Sequence, residues 1–317
     1  MKKTSLIFAA LFATTFAMAQ NTATTTQTGN GNGAETTQTG NNTSTTTQAG
    51  PNNIAETTQV GQNSASINQS NFATPGHFAS ISQQGDQGSA GIGNSADIVQ
   101  QQRGASATIE QVGDNNRAGL TQAGPNDAGT AVATTAGIYQ KGNDNLLSTV
   151  NGNGVIGNAN GSAYMQNGTS FPNDKSFLQV DQLGDGNKAG VYLMGGTDAS
   201  ILQDGNLNSA SINSQSNATG ALNLASIAQT GDENTARIDQ GPRGSSLFSG
   251  DDNHASIGQD GFDNTASINQ FGEGNRATLT QLGDLNLGTI SQTGIGHIAT
   301  MTQNGMSNTA VITQTGN

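Results

Sequence analysis

An eleven-residue unit recurs along the chain, and a short fixed period of this kind restricts the architecture before any local propensity does. It is clearest over residues 259–317, where it reads Q-x-G-x-x-N-x-A-x-Φ-x, with Φ apolar. The glutamines are Gln259, Gln270, Gln281, Gln292, Gln303 and Gln314, and a glycine stands two residues after each of them. Five residues after each of the first five glutamines comes Asn264, Asn275, Asn286, His297 or Asn308. Then follow Ala266, Ala277, Gly288, Ala299 or Ala310, and finally Ile268, Leu279, Ile290, Met301 or Ile312.

Within a unit the Asn, Ala, Φ and Gln positions are two residues apart, so in a strand all four side chains share one face. That face is expected to point inward, because the intervening residues, such as Ser267, Asn269, Thr278, Thr280 and Thr300, suit both water and a β backbone. A helix would need apolar partners three and four residues on, and the pattern supplies none. Glycine with acidic or amide neighbours fills the four positions after each glutamine, as in Gly272-Glu273-Gly274 and Gly283-Asp284. The predicted fold is all-β: a two-sided β-solenoid with rungs of about 22 residues, two strand-turn units each, stacked about 4.8 Å apart. Its interior is thin, since one Φ side chain per unit contributes only about 1.5 to 3 kcal/mol of burial. The inward amides must therefore be satisfied by stacking on their like above and below, a ladder expected at Asn264, Gln270, Asn275, Gln281, Asn286, Gln292, Asn308 and Gln314.

Composition alone points to disorder: 44 glycines, no cysteine or tryptophan and 4% aromatics cannot build an ordinary globular core. The period overrides that reading. Residues 1–19, with Lys2 and Lys3, an apolar run from Leu6 to Phe16 and Ala17-Met18-Ala19, have the form of a cleavable secretory signal. The run is too short to span a bilayer, and no membrane insertion is expected. Removing that segment leaves eight basic against 22 acidic residues, a formal charge of −14, which makes nucleic acid a poor partner. Without cysteine there is no disulfide framework.

Taken in order, residues 20–61 form a Thr-rich segment whose glutamines are Gln27, Gln38, Gln48 and Gln59, with Thr25, Thr36, Thr46 and Thr57 in the Φ position. Threonine there weakens burial, and two readings stay open: a segment that orders last and is read by an export apparatus, or weaker rungs of the same solenoid. Residues 62–317 form the solenoid proper, with lengthened turns near Pro75, residues 84–88 and Pro242, and an irregular middle at about 123–202. Asn151 and Leu193 stand eleven residues after Gln140 and Gln182, so they are expected in glutamine positions. About two dozen half-rungs give a rod near 60 Å long. The sequence closes on Gln314-Thr315-Gly316-Asn317, the opening of another unit without a capping helix, so an open strand edge and end-to-end association are expected.

No catalytic, cofactor or metal site is expected. His77, His254 and His297 are far apart in sequence, and two of them occupy the inward asparagine position. Asp251-Asp252-Asn253 lacks a calcium-repeat context, and the Gly29–Gly33 and Gly152–Gly157 runs lack the lysine and helix of a phosphate loop. Neither a serine, histidine and acid arrangement nor a carboxylate cluster for polysaccharide cleavage can be assembled. Outward pairs such as Thr24/Thr26, Thr278/Thr280 and Thr300/Thr302 raise a second reading, a monomeric ice- or surface-binding solenoid. Glu35, Glu56, Asp97, Glu110 and Asp239 interrupt that array.

The repeated Q-x-G-x-x-N-x-A-x-Φ-x-Q, which appears as Q-x-G-x-G-N-x-A-x3-Q from Gln270 to Gln281, resembles the curlin repeat of curli fibre subunits. The resemblance covers most of the chain after residue 19. It implies a subunit secreted by a bacterium with an outer membrane, which polymerises on the cell surface into cross-β, functional-amyloid fibres for biofilm matrix and adhesion. It also implies as partners further copies of itself, a homologous nucleator or major subunit, and an outer-membrane export channel with chaperones. By the same likeness the inward Asn and Gln positions would template the next subunit. The chain departs from the family pattern in usually lacking the second glycine of G-x-G-N. Asparagine in consecutive half-rungs is closer to the nucleator-type repeat.

Overall fold

The computed structural model describes residues 20–71, 76–85, 93–101, 104–123, 134–149, 163–166, 176–216, 222–241 and 252–316. Residues 1–19, and with them the expected signal segment, lie outside the described residues, as do Pro75, Asn151, Pro242, Phe248 and Asp251. The described residues form 24 strands and no helix.

Apart from Leu146–Ser148 and Ala163–Gln166, which belong to the same sheet, consecutive strands alternate between two sheets, and every pairing within a sheet is parallel and in register. One sheet, called here the first, runs from Thr22–Thr28 to Thr309–Thr315; the second runs from Gly33–Gly40 to Ile298–Asn304. Thus Ala255 pairs with Ala277, Ile257 with Leu279 and Gln259 with Gln281, one rung on. The fold is a two-sided β-solenoid. Its first sheet has twelve levels, because Leu146–Ser148 and Ala163–Gln166 share one, and its second sheet has eleven. At the strand spacing the coil is about 55 Å long.

Burial follows the period-two alternation. In Thr265–Glu273 the inward Ala266, Ile268 and Gln270 are buried, and the residues between them are half-exposed. Ile268, Leu279, Ile290 and Met301 lie in the core, and Ile312 in the last strand is partly buried against it. The Thr-rich strands continue the two sheets without a break: Thr46 pairs with Ile67 and Thr57 with Ile81, and both threonines are buried. Thr57 Oγ1 is a buried hydroxyl without a hydrogen-bond partner.

The irregular middle holds one local substitution of sizes. One level is shared by two short strands, the first ending at Ser148 and the second beginning at Ala163, which pairs with Leu120. Leu147 fills an alanine position beside Ala118 and Ala189, while Ala163 fills the Φ position. The large and small side chains are exchanged within one level, which conserves core volume.

Turns stack as regularly as strands. Gly283 N–H donates to the Asp260 carbonyl and Leu285 N–H to that of Phe262, both at 2.9 Å. The glycine two residues after glutamine has two reasons to be glycine. At Gly283 φ is +102°, and a Cβ there would stand 2.3 Å from the Gly305 carbonyl oxygen of the next rung. The missing second glycine is replaced by residues that accept left-handed backbone, with φ of 57° at Leu207, 60° at Glu233, 51° at Asp263 and 57° at Leu285. Each such residue costs roughly 1 to 2 kcal/mol.

The two turn positions are therefore expected to respond oppositely. Gly283→Ala should destabilise the coil by more than about 1 kcal/mol. Leu285→Gly at the half-exposed neighbour should be neutral to stabilising, by up to about 1 kcal/mol. Urea unfolding followed by circular dichroism separates them, and equal losses at both sites would refute this account of the turn.

Candidate functional site

The inward glutamines and asparagines form continuous columns. In the second sheet the column contains Gln38, Gln59, Gln83, Gln111, Gln140, Gln182, Gln203, Gln229, Gln259, Gln281 and Gln303, one for every level. Each Nε2 donates to the Oε1 of the glutamine on the next level, from 2.8 Å between Gln38 and Gln59 to 2.8 Å between Gln281 and Gln303. The second amide hydrogen crosses the core. Gln281 Nε2 donates at 3.0 Å to the Thr265 carbonyl of the opposite sheet, and Gln270 Nε2 donates at 2.9 Å to that of His254. One carboxamide thus ties three strands together.

Asparagines make the matching column at the start of every first-sheet strand. The backbone N–H of each donates to the Oδ1 of its predecessor: Asn264 to Asn234 at 3.1 Å, Asn286 to Asn264 at 3.0 Å, Asn308 to Asn286 at 3.0 Å. The side-chain Nδ2 caps a turn. Asn264 donates to the Gly283 carbonyl at 2.6 Å and Asn286 to that of Gly305 at 2.9 Å. Asn275 makes the equivalent bonds in the other sheet, its N–H to Asn253 Oδ1 at 3.1 Å and its Nδ2 to the Gly294 carbonyl at 3.0 Å. Gln270 donates to Gln292 and Gln292 to Gln314 at 2.9 and 2.8 Å. Asn264, Gln270, Asn275, Gln281, Asn286 and Gln292 are buried, whereas Asn308 and Gln314 belong to the outermost level and are at least partly exposed.

The other two columns are interrupted. The first-sheet glutamines run from Gln27 to Gln122 and from Gln240 to Gln314, with Met165, Leu193 and Ser214 between them. Leu193 stands in the expected glutamine position. Met165 fills the one before it, pairing with both Gln122 and Leu193, and Asn151 lies outside the described residues. Gln122 turns its amide hydrogens to the Ser106 and Thr134 carbonyls instead. In the second sheet the asparagine column is broken by His77, Ala105, Thr134, Ser176 and Thr197. Both interrupted columns border the turns from the first sheet to the second. Both continuous columns border the turns from the second sheet back to the first. Sequence reading missed this division into a strict and a permissive edge; of its lengthened turns, those after Ser70 and Gln240 join the first sheet to the second, whereas the one after Gln84 joins the second to the first.

On the strict edge the residue after the turn glycine adds a further column. Asp114 N–H donates to Asn143 Oδ1, Asn143 N–H to Asp185 Oδ1, Asp185 N–H to Asn206 Oδ1 and Asn206 N–H to Asp232 Oδ1, at 2.7 to 2.9 Å. From Asp114 to Asp232 acid alternates with amide, so no two of these carboxylates are on adjacent levels.

His77 and His297 sit in asparagine positions, their N–H groups donating to Asn53 and Asn275 Oδ1. His77 Nε2 lies 3.3 Å from the Ser70 carbonyl, which leaves a buried Nδ1 without a partner. Burial pushes this imidazole down to about 4. Burial also pushes the Asp97 and Asp198 carboxyls up. Among the described residues no group of three or more His, Asp or Glu is placed to hold a metal ion.

A family model described as the curlin associated repeat matches residues 91–124, 250–283 and 283–316. These three segments are curlin repeats. The matched segments carry the amide columns described above, and the repeat is that of a structural, fibre-forming family and not of an enzyme family. No match was found among curated proteins.

Two outcomes follow from the columns. Gln281→Leu strands the Gln259 donor and the Gln303 acceptor in the core, and should destabilise the coil by about 2 to 5 kcal/mol. Leu193→Gln alone should also destabilise, while Met165→Gln, Leu193→Gln and Ser214→Gln together should recover stability by joining the two glutamine runs. Additive effects in urea titrations would contradict a ladder. For His77 the folded imidazole titrates near 4 and the unfolded one near 6.5. Its contribution is complete above 6.5 and declines as pH falls from 6.5 toward 4. Asp97 and Asp198, with raised values, act in the opposite sense. His77→Asn should therefore gain more stability over the parent at pH 5 than at pH 8.

Proposed function

We propose that the chain is a secreted structural subunit whose activity is polymerisation into extracellular, curli-type fibres serving matrix and adhesion. Residues 1–19 act as the export signal, residues 20–61 as the first rungs, with a possible part in export targeting, and residues 62–317 as the body of the solenoid. Its partners are further copies of itself, a homologous nucleator or major subunit, and an outer-membrane export channel with its chaperones. The amides from Asn264 to Gln314 are the templating groups.

The observation that carries this reading is that the amide columns run unbroken into the outermost described strands. Gln314 receives the Gln292 hydrogen bond and donates one hydrogen to the Ile298 carbonyl, and among the described residues no further glutamine stands above it. A half-made ladder is a docking surface for the same sequence, since a new rung satisfies amides on both sides of the junction. The ice-binding alternative needs a flat threonine array. On the first sheet, however, Thr24 and Thr45 are followed by Ser66 and Asp97, and further along by Arg237.

Residues 20–317, diluted from denaturant, should pass from coil to β by circular dichroism and then give fibres. Those fibres should show reflections near 4.8 and 10 Å. A chain that folds and stays monomeric at high concentration would sink the proposal, and thermal hysteresis in that monomer would favour the alternative.

A further inference from the structure

The unequal numbers of levels in the two sheets dictate how one copy can sit on the next. The described strands begin in the first sheet with Thr22–Thr28 and end in it with Thr309–Thr315, giving twelve levels there and eleven in the second. A coil of these strands makes a half-integral number of rungs. Suppose a second copy stacks with like sheets aligned. Its Thr22–Thr28 then covers Thr309–Thr315, but its Gly33–Gly40 stands two levels above Ile298–Asn304, about 9.6 Å away. One strand is missing from the second sheet at every junction, and both flanking edges keep unpaired backbone groups.

The geometry points to a different junction, in which each successive copy is turned by half a revolution about the fibre axis and its two sheets exchange places. This inference rests on the fibre reading above, with residues 1–19 removed. Gly33–Gly40 of the incoming copy then lies on Thr309–Thr315, and its Thr22–Thr28 lies on Ile298–Asn304. No level is missing. Because strands in the two sheets run in opposite directions, the half-turn also restores parallel pairing. The eleven-residue unit makes the two sheets equivalent enough for this exchange. Ala34, Thr36 and Gln38 fall on Ala310, Ile312 and Gln314, and Ala23, Thr25 and Gln27 fall on Ala299, Met301 and Gln303.

The polar groups at the two ends are complementary in this arrangement. Gln27 and Gln38 donate into their own coil, to Gln48 and Gln59 at 2.8 Å, so their Oε1 atoms face outward as acceptors. At the other end the outward groups are the Nε2 atoms of Gln303 and Gln314, whose bonds go to the Leu287, Asn308 and Ile298 carbonyls. Gln229 Nε2 reaches two such carbonyls and the ladder oxygen with its two hydrogens, one of them shared between acceptors, so Gln303 can do the same with an incoming Gln27. Asn308 Oδ1 likewise awaits a backbone N–H from the next level, which Asn32 supplies. Two identical ends would meet donor to donor or acceptor to acceptor, so the polymer is head-to-tail.

The absence of cysteine from the sequence makes the junction directly readable. Residues 20–317 carrying Thr37→Cys with Thr313→Cys are compared with the pair Thr26→Cys and Thr313→Cys, all at outward positions. Strands at opposite ends of the coil are too far apart to cross-link within one copy. Fibres assembled reduced and then oxidised should give a reducible ladder of covalent multimers from the 37/313 pair and none from the 26/313 pair. Cross-linking through 26/313, or fibres in which neither pair links, overturns the exchanged junction and leaves the fibre reading standing. A protein that forms no fibre at all overturns both.

Discussion

The buried carboxamide is the constraint on which the rest of the structure depends. Apart from Ala and one Φ residue, each half-rung puts into its core an amide that cannot be satisfied within its own level. Gln281 accepts from Gln259, donates to Gln303 and reaches across to Thr265. Leaving such a group unpaired costs about 1 to 3 kcal/mol, comparable with what burying one isoleucine contributes. Cohesion therefore lies between rungs, and stability is closer to a sum of neighbour terms than to the property of one compact core.

Glycine at the turn serves the same arrangement from the outside. The Gly283 carbonyl accepts from Asn264 Nδ2, and the space where its Cβ would stand is taken by the Gly305 carbonyl. The strand ladder, the amide column and the turn stack are thus three views of one translation along the axis. A residue that breaks one of them disturbs the other two on the same level.

Much of this was legible in the sequence because period two within period eleven leaves little freedom. The inward set from Asn264 to Gln314, the strand alternation and the register at Leu193 follow from counting alone. What escaped was the place where counting fails. Between Gln140 and Gln182 one level is divided between Leu146–Ser148 and Ala163–Gln166, so spacing led to Asn151 where Met165 stands. Methionine and leucine fill nearly the space of a glutamine without its amide, so the position keeps its shape while losing its signature. Thr46 and Thr57 illustrate the converse, since a weak Φ residue is buried when its neighbours on both sides are in register. The division into two unlike edges is invisible without knowing which sheet each strand joins.

That division changes what the molecule can tolerate. Along one edge the coil is held by uninterrupted amides, while along the other lie most of the longer connections between strands, such as that from Ala123 to Thr135. The closure entropy of a connection rises only logarithmically, by about 0.6 kcal/mol for each doubling of its length. This is less than the loss of a single buried hydrogen-bond partner. Foreign sequence grafted on that side would hang outside the rod without disturbing its axial repeat, which makes the permissive edge the natural place for lineages to vary cargo while the spine stays constant.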